Sequence, residues 1–372
     1  MKHRTPFAAT LLACAVAVTA GCAAAPRRSA DAADRNSPPL ASTTLRQLRD
    51  QALQKLLALA DHEHPQVRAN AIEGLTLAPT ALASVVRRAL ADENLGVRFA
   101  AAMAVGKTQL RDARDWVRPL LSDSSPVVRA AAVYALRRLG EAADPTLLAQ
   151  LLTNAADPKQ RATAAFILGE LGDASAIPLL KDAARRSMPR ASLIELRLLR
   201  LQIAEALVKL GEERAVETIR AALYPSRPEE LEATALACQI IGEVRDRRAA
   251  DQLIYLTAQQ GQRRPPAEVR LAAAEALAKL GLRNGGFLAD ELATDPNPVI
   301  RAQCASVYGW TGQAKDVAAL EKLLADPSPL VQVAAAAGLL RATQRGAGLA
   351  RDNRPRAGPQ TPTASPAPRQ GV

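Results

Sequence analysis

The sequence predicts an all-α fold, an α-solenoid of about nine helix-pair repeats, and three observations support it. Aromatic residues make up only 3% of the 372 residues, although 48% are hydrophobic. A composition rich in Ala, Leu and Val does not supply several separate globular cores. Ala and Leu are also among the strongest helix formers. The third observation is an internal repeat that covers most of the chain.

The repeat consists of nine segments with one pattern. An apolar residue and a marker residue, usually Arg, are followed by apolar residues at +3, +4, +6 and +7, and often by Gly at +11. This spacing is the period of an amphipathic helix, and the Gly is typical of a helix C-terminus. A second, shorter amphipathic helix follows each time, so the sequence predicts a curved, elongated stack of helix pairs. The markers are Arg68, Arg98, Arg129, Arg161, Arg200, Thr234, Arg270, Arg301 and Gln332.

The first residues resemble a bacterial lipoprotein signal peptide. Residues 1–21 start with basic side chains and continue with a 14-residue apolar run, 7–20, which is too short to span a bilayer. Small residues then precede Cys22, and the resemblance implies that Cys22 is lipidated and begins the mature chain. Three alternatives remain, of which one is a cytosolic protein whose first residues are apolar by accident. Ordinary signal peptidase cleavage near Ala25 would release a soluble protein, and a competing match ends at Cys14.

Two further segments lack the repeat. Residues 22–43 contain Pro, Ser and Thr without helical periodicity and are interpreted as a flexible tether. Residues 344–372 are rich in Pro, Gly and Arg, which predicts a disordered tail. The solenoid therefore occupies residues 44–343, with a cap helix at 44–60. In the lipoproteins that the chain resembles, a residue such as Ala23 after the lipidated Cys implies the outer membrane, facing the periplasm.

Within the repeats, Asp stands six residues before several markers, as in Asp92, Asp123 and Asp295. This pattern resembles the HEAT repeat, especially the short HEAT-like form of the phycobilisome lyases. The resemblance implies that these Asp and Arg side chains form a structural ladder along the stack. Arg binds carboxylates through a planar fork, which suits such a brace. The lyase activity is not transferred, because a fold does not fix a function.

Residues suited to catalysis are scarce, and the sequence predicts no catalytic site, no metal site and no cofactor. His62, Glu63 and His64 form the one His/Glu cluster in the sequence, which is interpreted as an exposed polar turn. The alternative is iron binding, as in the deoxyhypusine hydroxylases, a HEAT-repeat enzyme family that uses several His–Glu pairs. Cys238 and Cys304 fall at core positions of their repeats, which predicts buried free thiols.

Charge and two departures from the repeat indicate the kind of partner. Of the net charge of +11, only +4 belongs to residues 44–343, which argues against nucleic acid. Three long spacings, of 39, 34 and 36 residues, contain inserts on one edge of the solenoid. Their arginines predict a basic strip for an acidic partner or anionic headgroups, or else solvated loops. The strip consists of Arg185, Arg186, Arg190, Arg227, Arg263 and Arg264.

The second departure is Trp310, which occupies the +9 position, where other repeats have charged side chains. We expect this position to be exposed, so that Trp310 would be an interface anchor. The alternative is that Trp310 packs beneath the last repeat or the tail.

Together these features predict an exported, monomeric, non-catalytic scaffold that is lipid-anchored in the bacterial envelope and binds another envelope protein. The alternative is a lyase-like or chaperone-type enzyme acting on a small molecule or a partner protein. A deep pocket with convergent polar groups would favour the alternative.

Overall fold

The structure, a computed structural model, describes residues 42–261 and 264–352, with side chains described up to residue 344. These ranges contain eighteen α-helices and no strand, which confirms the all-α prediction. The helices alternate between an outer and an inner layer. The outer helices are α1 (Ser42–Leu59), α3 (Pro79–Leu90), α5 (Arg114–Val117), α7 (Thr146–Asn154), α9 (Ile177–Arg185), α11 (Val216–Ala221), α13 (Ala250–Ala258), α15 (Gly286–Leu292) and α17 (Ala314–Leu323).

The inner helices follow the outer ones and contain the marker residues. They are α2 (Pro65–Gly74), α4 (Leu95–Thr108), α6 (Pro126–Arg138), α8 (Pro158–Leu171), α10 (Leu193–Lys209), α12 (Leu231–Val244), α14 (Ala267–Lys279), α16 (Pro298–Thr311) and α18 (Pro329–Asp352).

Local sequence signals set where several inner helices begin and end. The Asp157 and Asn297 side chains each accept a hydrogen bond from the backbone N–H two residues later, which caps the start of α8 and of α16. Gly172 and Gly312 end the same helices with positive φ values of 74° and 62°, as the repeat pattern predicts. Short turns can then reverse the chain at both edges of the stack.

The ladder implied by the HEAT resemblance is present and joins consecutive units. Arg98 donates through Nε and Nη2 to the carboxylate of Asp123 in the next unit, at 2.7 and 3.0 Å. Its Nη1 donates to the carbonyl of Asp92, at 2.8 Å. The hydrogen bond from Arg98 lowers the pKa of Asp123. Arg68 binds Asp92, and Arg301 binds Asp326, in the same way.

The two ends of the stack meet, so the predicted elongated array is wrong and the solenoid is a closed ring. Helix α18 packs against both α1 and α2. Lys55 of α1 donates to the Gln332 side chain at 3.4 Å, and Gln344 of α18 donates to the Leu77 carbonyl at 2.6 Å. Periodicity predicts each helix but not the angle between neighbouring units. The ring closes because these small angles add up over all the units.

The ring has two distinct edges. The turns that lead from outer to inner helices, including the three inserts, lie on one edge, which we call the insert edge. Helix α1 begins at Ser42, and α18 ends at Asp352, beyond residue 343; both ends lie on the opposite edge. No described helix is both long and apolar enough to cross a bilayer. The predicted signal peptide, Cys22 and most of the tether and tail lie outside the described residues.

Candidate functional site

The inner helices border two cavities at the centre of the ring. The first, of about 240 Å³, has an apolar wall that includes Leu95, Phe99 and Met103 of α4. The second, of about 210 Å³, lies among α2, α12, α14, α16 and α18. Asn70 and Glu73 of α2 border both cavities. The first cavity lies along the neighbouring helices α2, α4, α6 and α8, whereas the second requires closure, because α2 borders it together with helices of the last units. The repeat pattern did not predict either cavity.

Charged side chains of the inner helices converge on this centre. Lys209 lies between Glu170 and Glu205, with Nζ–Oε1 distances of 2.6 Å to each. Burial acts to lower the pKa of Lys209, but the two carboxylates outweigh it and raise that pKa. Lys279 is held in the same way by Glu243 at 2.7 Å and by Glu275 at 2.9 Å. The centre therefore contains a network of partly buried ion pairs.

Glu73 is the acid of this centre without a close cationic partner. No hydrogen bond or ion pair reaches its carboxylate from the described residues. Burial raises the pKa of Glu73, and the more distant charges of Lys107 and Arg341 only partly oppose this. Lys107 borders the first cavity with Glu73, so one acid and one base face the same space.

Trp310 lies at this centre and not on an exposed face. Its ring packs between the Lys279 ammonium, at 5.4 Å, and the Arg341 guanidinium, at 4.6 Å, both measured to the ring centroid. The side chain of Lys279, also at a +9 position, is only 9% exposed. The expectation that +9 is exposed is therefore wrong at both residues, because the +9 side chains of the consecutive inner helices α14, α16 and α18 pack against one another. The alternative, packing beneath the last repeat, describes Trp310 better, and its role in partner binding stays a prediction.

The described arginines of the basic strip lie on the insert edge. Arg185, Arg190 and Arg227 are exposed. Two other members are also exposed but form ion pairs: Arg186 with Asp182 at 2.7 Å, and Arg264 with Glu291 at 2.8 Å. Arg263 lies outside the described residues. The structure brings the described members to one edge, and their role in binding stays a prediction.

Two buried arginines beneath this edge have no carboxylate partner among the described residues. The sequence analysis named both as repeat markers but did not predict this. Arg161 is 9% exposed, and its Nε donates to the Ala155 carbonyl at 2.7 Å. Arg270 is 2% exposed, and its Nε and Nη2 lie 3.4 and 3.3 Å from the Thr257 carbonyl. Burial lowers the pKa of both guanidinium groups, and the neighbouring charge of Arg186 adds to this at Arg161. For Arg161, the sequence contained a signal of this, because the next unit has no Asp in the position that binds the marker Arg in the complete rungs. For Arg270 there was no such signal, since Asp295 is present.

The two remaining sequence predictions concern His and Cys. The His64 backbone N–H donates to the His62 ring at 3.0 Å, and the Gln66 N–H donates to the His64 ring at 3.3 Å, so the cluster is a polar turn that caps α2. No group of three metal-binding side chains occurs among the described residues. Cys238 and Cys304 are buried free thiols, as predicted, and burial raises the pKa of each to about 12.

The fold and the ladder define the class of protein as an α-solenoid of HEAT-like units closed into a ring. The chain matches the HEAT repeats family over residues 53–137, 145–236 and 259–341, and it belongs to this family. No curated protein matches the chain significantly.

Solved structures with similar folds come from several kinds of protein. The chain is 20% identical to the CpcE–CpcF complex of phycocyanin lyase from Nostoc sp. PCC7120, covering 72% of this chain and 100% of that one, with a TM-score of 0.39. Human deoxyhypusine hydroxylase in complex with glycerol is 19% identical over 74% of this chain and 99% of that one, with a TM-score of 0.37. A designed armadillo repeat protein is 20% identical over 53% and 98%, with a TM-score of 0.33. At such identities the likeness concerns the fold alone.

Proposed function

We propose that the protein is a non-catalytic scaffold, anchored in an envelope membrane through lipidated Cys22, that binds a second protein on the insert edge of its ring. One observation carries the proposal: the inserts lie on one edge, while the chain enters at Ser42 and α18 ends at Asp352 on the other edge. A flexible tether of residues 22–41 would reach roughly 25 Å. Such a tether would hold the insert edge away from the bilayer, where a partner protein can reach it.

The anchor is tested by removing the thiol that would carry the lipid. Cys22→Ala should leave the protein unprocessed or move it from the membrane to the soluble fraction. Cys14→Ala is the matched control, because it removes the competing match and should change nothing. The measurements are membrane fractionation and the intact mass of the purified chain. Membrane attachment and mass that are unchanged in the Cys22 variant would contradict the anchor.

Partner binding is tested by photo-crosslinking in living cells. A photoreactive amino acid replaces the exposed Arg190 or Arg227 on the insert edge, and in the control it replaces the exposed Ser175 on the opposite edge. The proposal expects a discrete adduct with one envelope protein from the first two positions and none from the control. Adducts formed equally from both edges, or only from Ser175, would contradict it.

The central cavities favour the second candidate, an enzyme or chaperone that holds a small molecule. They combine apolar walls with converging polar groups, as ligand sites do. Native mass spectrometry of protein purified from its own cells tests this candidate. Ala100→Phe would fill the first cavity, which Ala100 borders. A bound small molecule that disappears in this variant would support the candidate, and the absence of any bound mass in the wild type would count against it.

A further inference from the structure

The ladder is interrupted in the middle of the ring. In the complete rungs the marker Arg binds an Asp that lies 24 or 25 residues later, as in Arg98 with Asp123. Asp123 comes directly after the last turn of an outer helix, and its own backbone angles are φ −58° and ψ 146°. The corresponding place in the next unit is Ala155, with φ −58° and ψ 133°. In the unit after that, it is Arg186, with φ −69° and ψ 134°. The backbone is thus conformationally equivalent, but the carboxylate is missing from both rungs.

The missing carboxylates leave two guanidinium groups without their acid. In Arg129, Nη1 donates to the carbonyls of Asp123 and Ser124, at 2.7 and 3.4 Å. Its Nε and Nη2 are the atoms that hold a carboxylate in Arg98, and here they have no partner within the described residues. The terminal nitrogens of Arg161 likewise have none there, although the residue is nine-tenths buried.

Arg186 brings a second guanidinium to this place instead of a carboxylate, and it pairs with Asp182 of its own helix at 2.7 Å. It stands in the place of the rung Asp, next to Arg161, and its charge contributes to the lowered pKa of that guanidinium. A buried cation without an acid is costly, and breaking a buried pair by removing one partner is strongly destabilising. A carboxylate brought by another molecule would remove this cost. It could bind Nε and Nη2 of Arg129, and in Arg161 it could bind the two terminal nitrogens, since Nε already donates to the Ala155 carbonyl.

We propose that the open rungs at Arg129 and Arg161, together with Arg186, form a binding site for the carboxylates of an acidic peptide segment of the partner. The site rests on the proposed scaffold function and specifies the chemistry of its insert edge. The complete rungs are the internal precedent, since each holds an Asp carboxylate in two hydrogen bonds at 2.7–3.0 Å. A peptide is favoured over a lipid headgroup because the insert edge lies opposite the chain ends that would lead to the membrane.

The spacing of the two rungs defines the ligand further. Neighbouring inner helices pack about 8–10 Å apart, so the rungs are separated by a similar distance. An extended peptide rises about 3.3 Å per residue. Because successive side chains of an extended peptide point to opposite faces, acidic residues two or four positions apart, roughly 7 or 13 Å, can face both rungs. The exposed Arg185 and Arg190 would contact flanking acids.

The experiment measures fluorescence anisotropy of a labelled ten-residue polyglutamate peptide with the full ring at low salt. Ala155→Asp closes the Arg129 rung from within, and Arg186→Asp closes the Arg161 rung. Each should weaken peptide binding by about fivefold or more, while Ala155→Asp raises the melting temperature. Arg161→Gln, which removes the buried fork, should also weaken binding. Arg111→Asp is the matched control, because it makes the same charge change at an exposed residue on the opposite edge and should leave binding unchanged.

Three outcomes would overturn the site. The first is wild-type peptide affinity in Ala155→Asp and Arg161→Gln, with circular dichroism showing that both variants are folded. The second is equal weakening by Arg111→Asp, which would indicate only net charge. The third is binding to phosphatidylglycerol vesicles but not to polyglutamate. The scaffold proposal fails separately: peptide binding without a cross-linked partner contradicts the scaffold, and a cross-linked partner that Ala155→Asp does not affect contradicts the site.

Discussion

Glu73 shows how a single residue gains its properties only from the closed ring. Its position in the repeat is that of an ordinary helix residue near the end of α2. In the ring it borders both central cavities, and burial raises its pKa above the usual 4.5. A carboxyl group whose folded-state pKa is raised binds more protons in the folded state, so its ionisation lowers stability as the pH rises above the unfolded value.

The Glu73→Gln variant is therefore expected to be more stable than the wild type at pH 7.5. The gain should be about 1 kcal/mol, or roughly 2–4 °C in Tm. The gain should shrink below pH 4.5, where the unfolded chain also binds the proton. Thermal unfolding at both pH values measures it, with the exposed Glu63→Gln as a control that stays within about 0.5 kcal/mol. A loss of stability at pH 7.5 would show that the distant cations outweigh burial.

Glycine at close helix contacts gives a second prediction at the residue scale. A Cβ added to Gly309 of α16 would lie 2.6 Å from the Cα of Gly338 in α18, so backbone would have to move. Gly309→Ala should destabilise the ring by about 1–3 kcal/mol. Gly286→Ala is the control, since a Cβ there meets nothing within 4 Å. It should be neutral or stabilise by up to about 1 kcal/mol. Urea unfolding of both variants measures their free energies of unfolding. Equal values would show that α16 and α18 can move apart at little cost.

At the scale of the helix, the ladder is the element that repeat reasoning predicted best. The marker and the Asp are visible in the sequence, and their pairing with the next unit follows from the HEAT resemblance. What the sequence left open was which rungs form. Asp295 has the expected position, yet the buried Arg270 donates to the Thr257 carbonyl.

The complete rungs should make stability depend on pH. The pKa of Asp123 is lowered below 3.8 by its hydrogen bond from Arg98. This stabilisation is present above pH 3.8 and is lost as the pH falls through the lowered pKa. Asp123→Asn should cost about 1–3 kcal/mol at pH 7, and the difference from the wild type should narrow below about pH 4. Asp295→Asn is the control, because no Arg side chain within residues 43–261 and 264–344 binds its carboxylate. Denaturant unfolding between pH 2.5 and 7 tests this, and a constant difference would contradict it.

At the scale of the whole molecule, closure changes what each end of the chain does. Helix α1 was expected to be a cap on one end of an open stack. It instead packs against α18. The space beside Gly74 of α2 shows how tight this contact is. A Cβ added to Gly74 would lie 3.1 Å from the Leu56 side chain of α1 and 3.3 Å from the Ala337 side chain of α18. The contact between first and last units is therefore as intimate as that between neighbours in the sequence.

Removing α1 should consequently open the ring. A chain that lacks residues 42–60 is expected to have a larger radius of gyration by small-angle X-ray scattering and a lower Tm, because α18 loses an apolar surface. A chain that lacks residues 353–372 is the control and should keep the Tm of the full chain. An unchanged radius of gyration after loss of α1 would show that α2 and α18 hold the closure alone.

The marker ladder was implied by the resemblance to HEAT repeats. The sequence by itself determined the helix pairs, their bounds to within a few residues and the buried thiols. These properties depend on local periodicity, capping and turn residues, which are written into each unit. Only the tertiary structure decided that the stack closes, that Trp310 and the +9 charges of the later units meet at its centre, and that Arg270 donates to the Thr257 carbonyl although Asp295 is present. The physical reason is that the small rotation between packed units is set by many side chains together. Its sum over nine units decides which residues share a space.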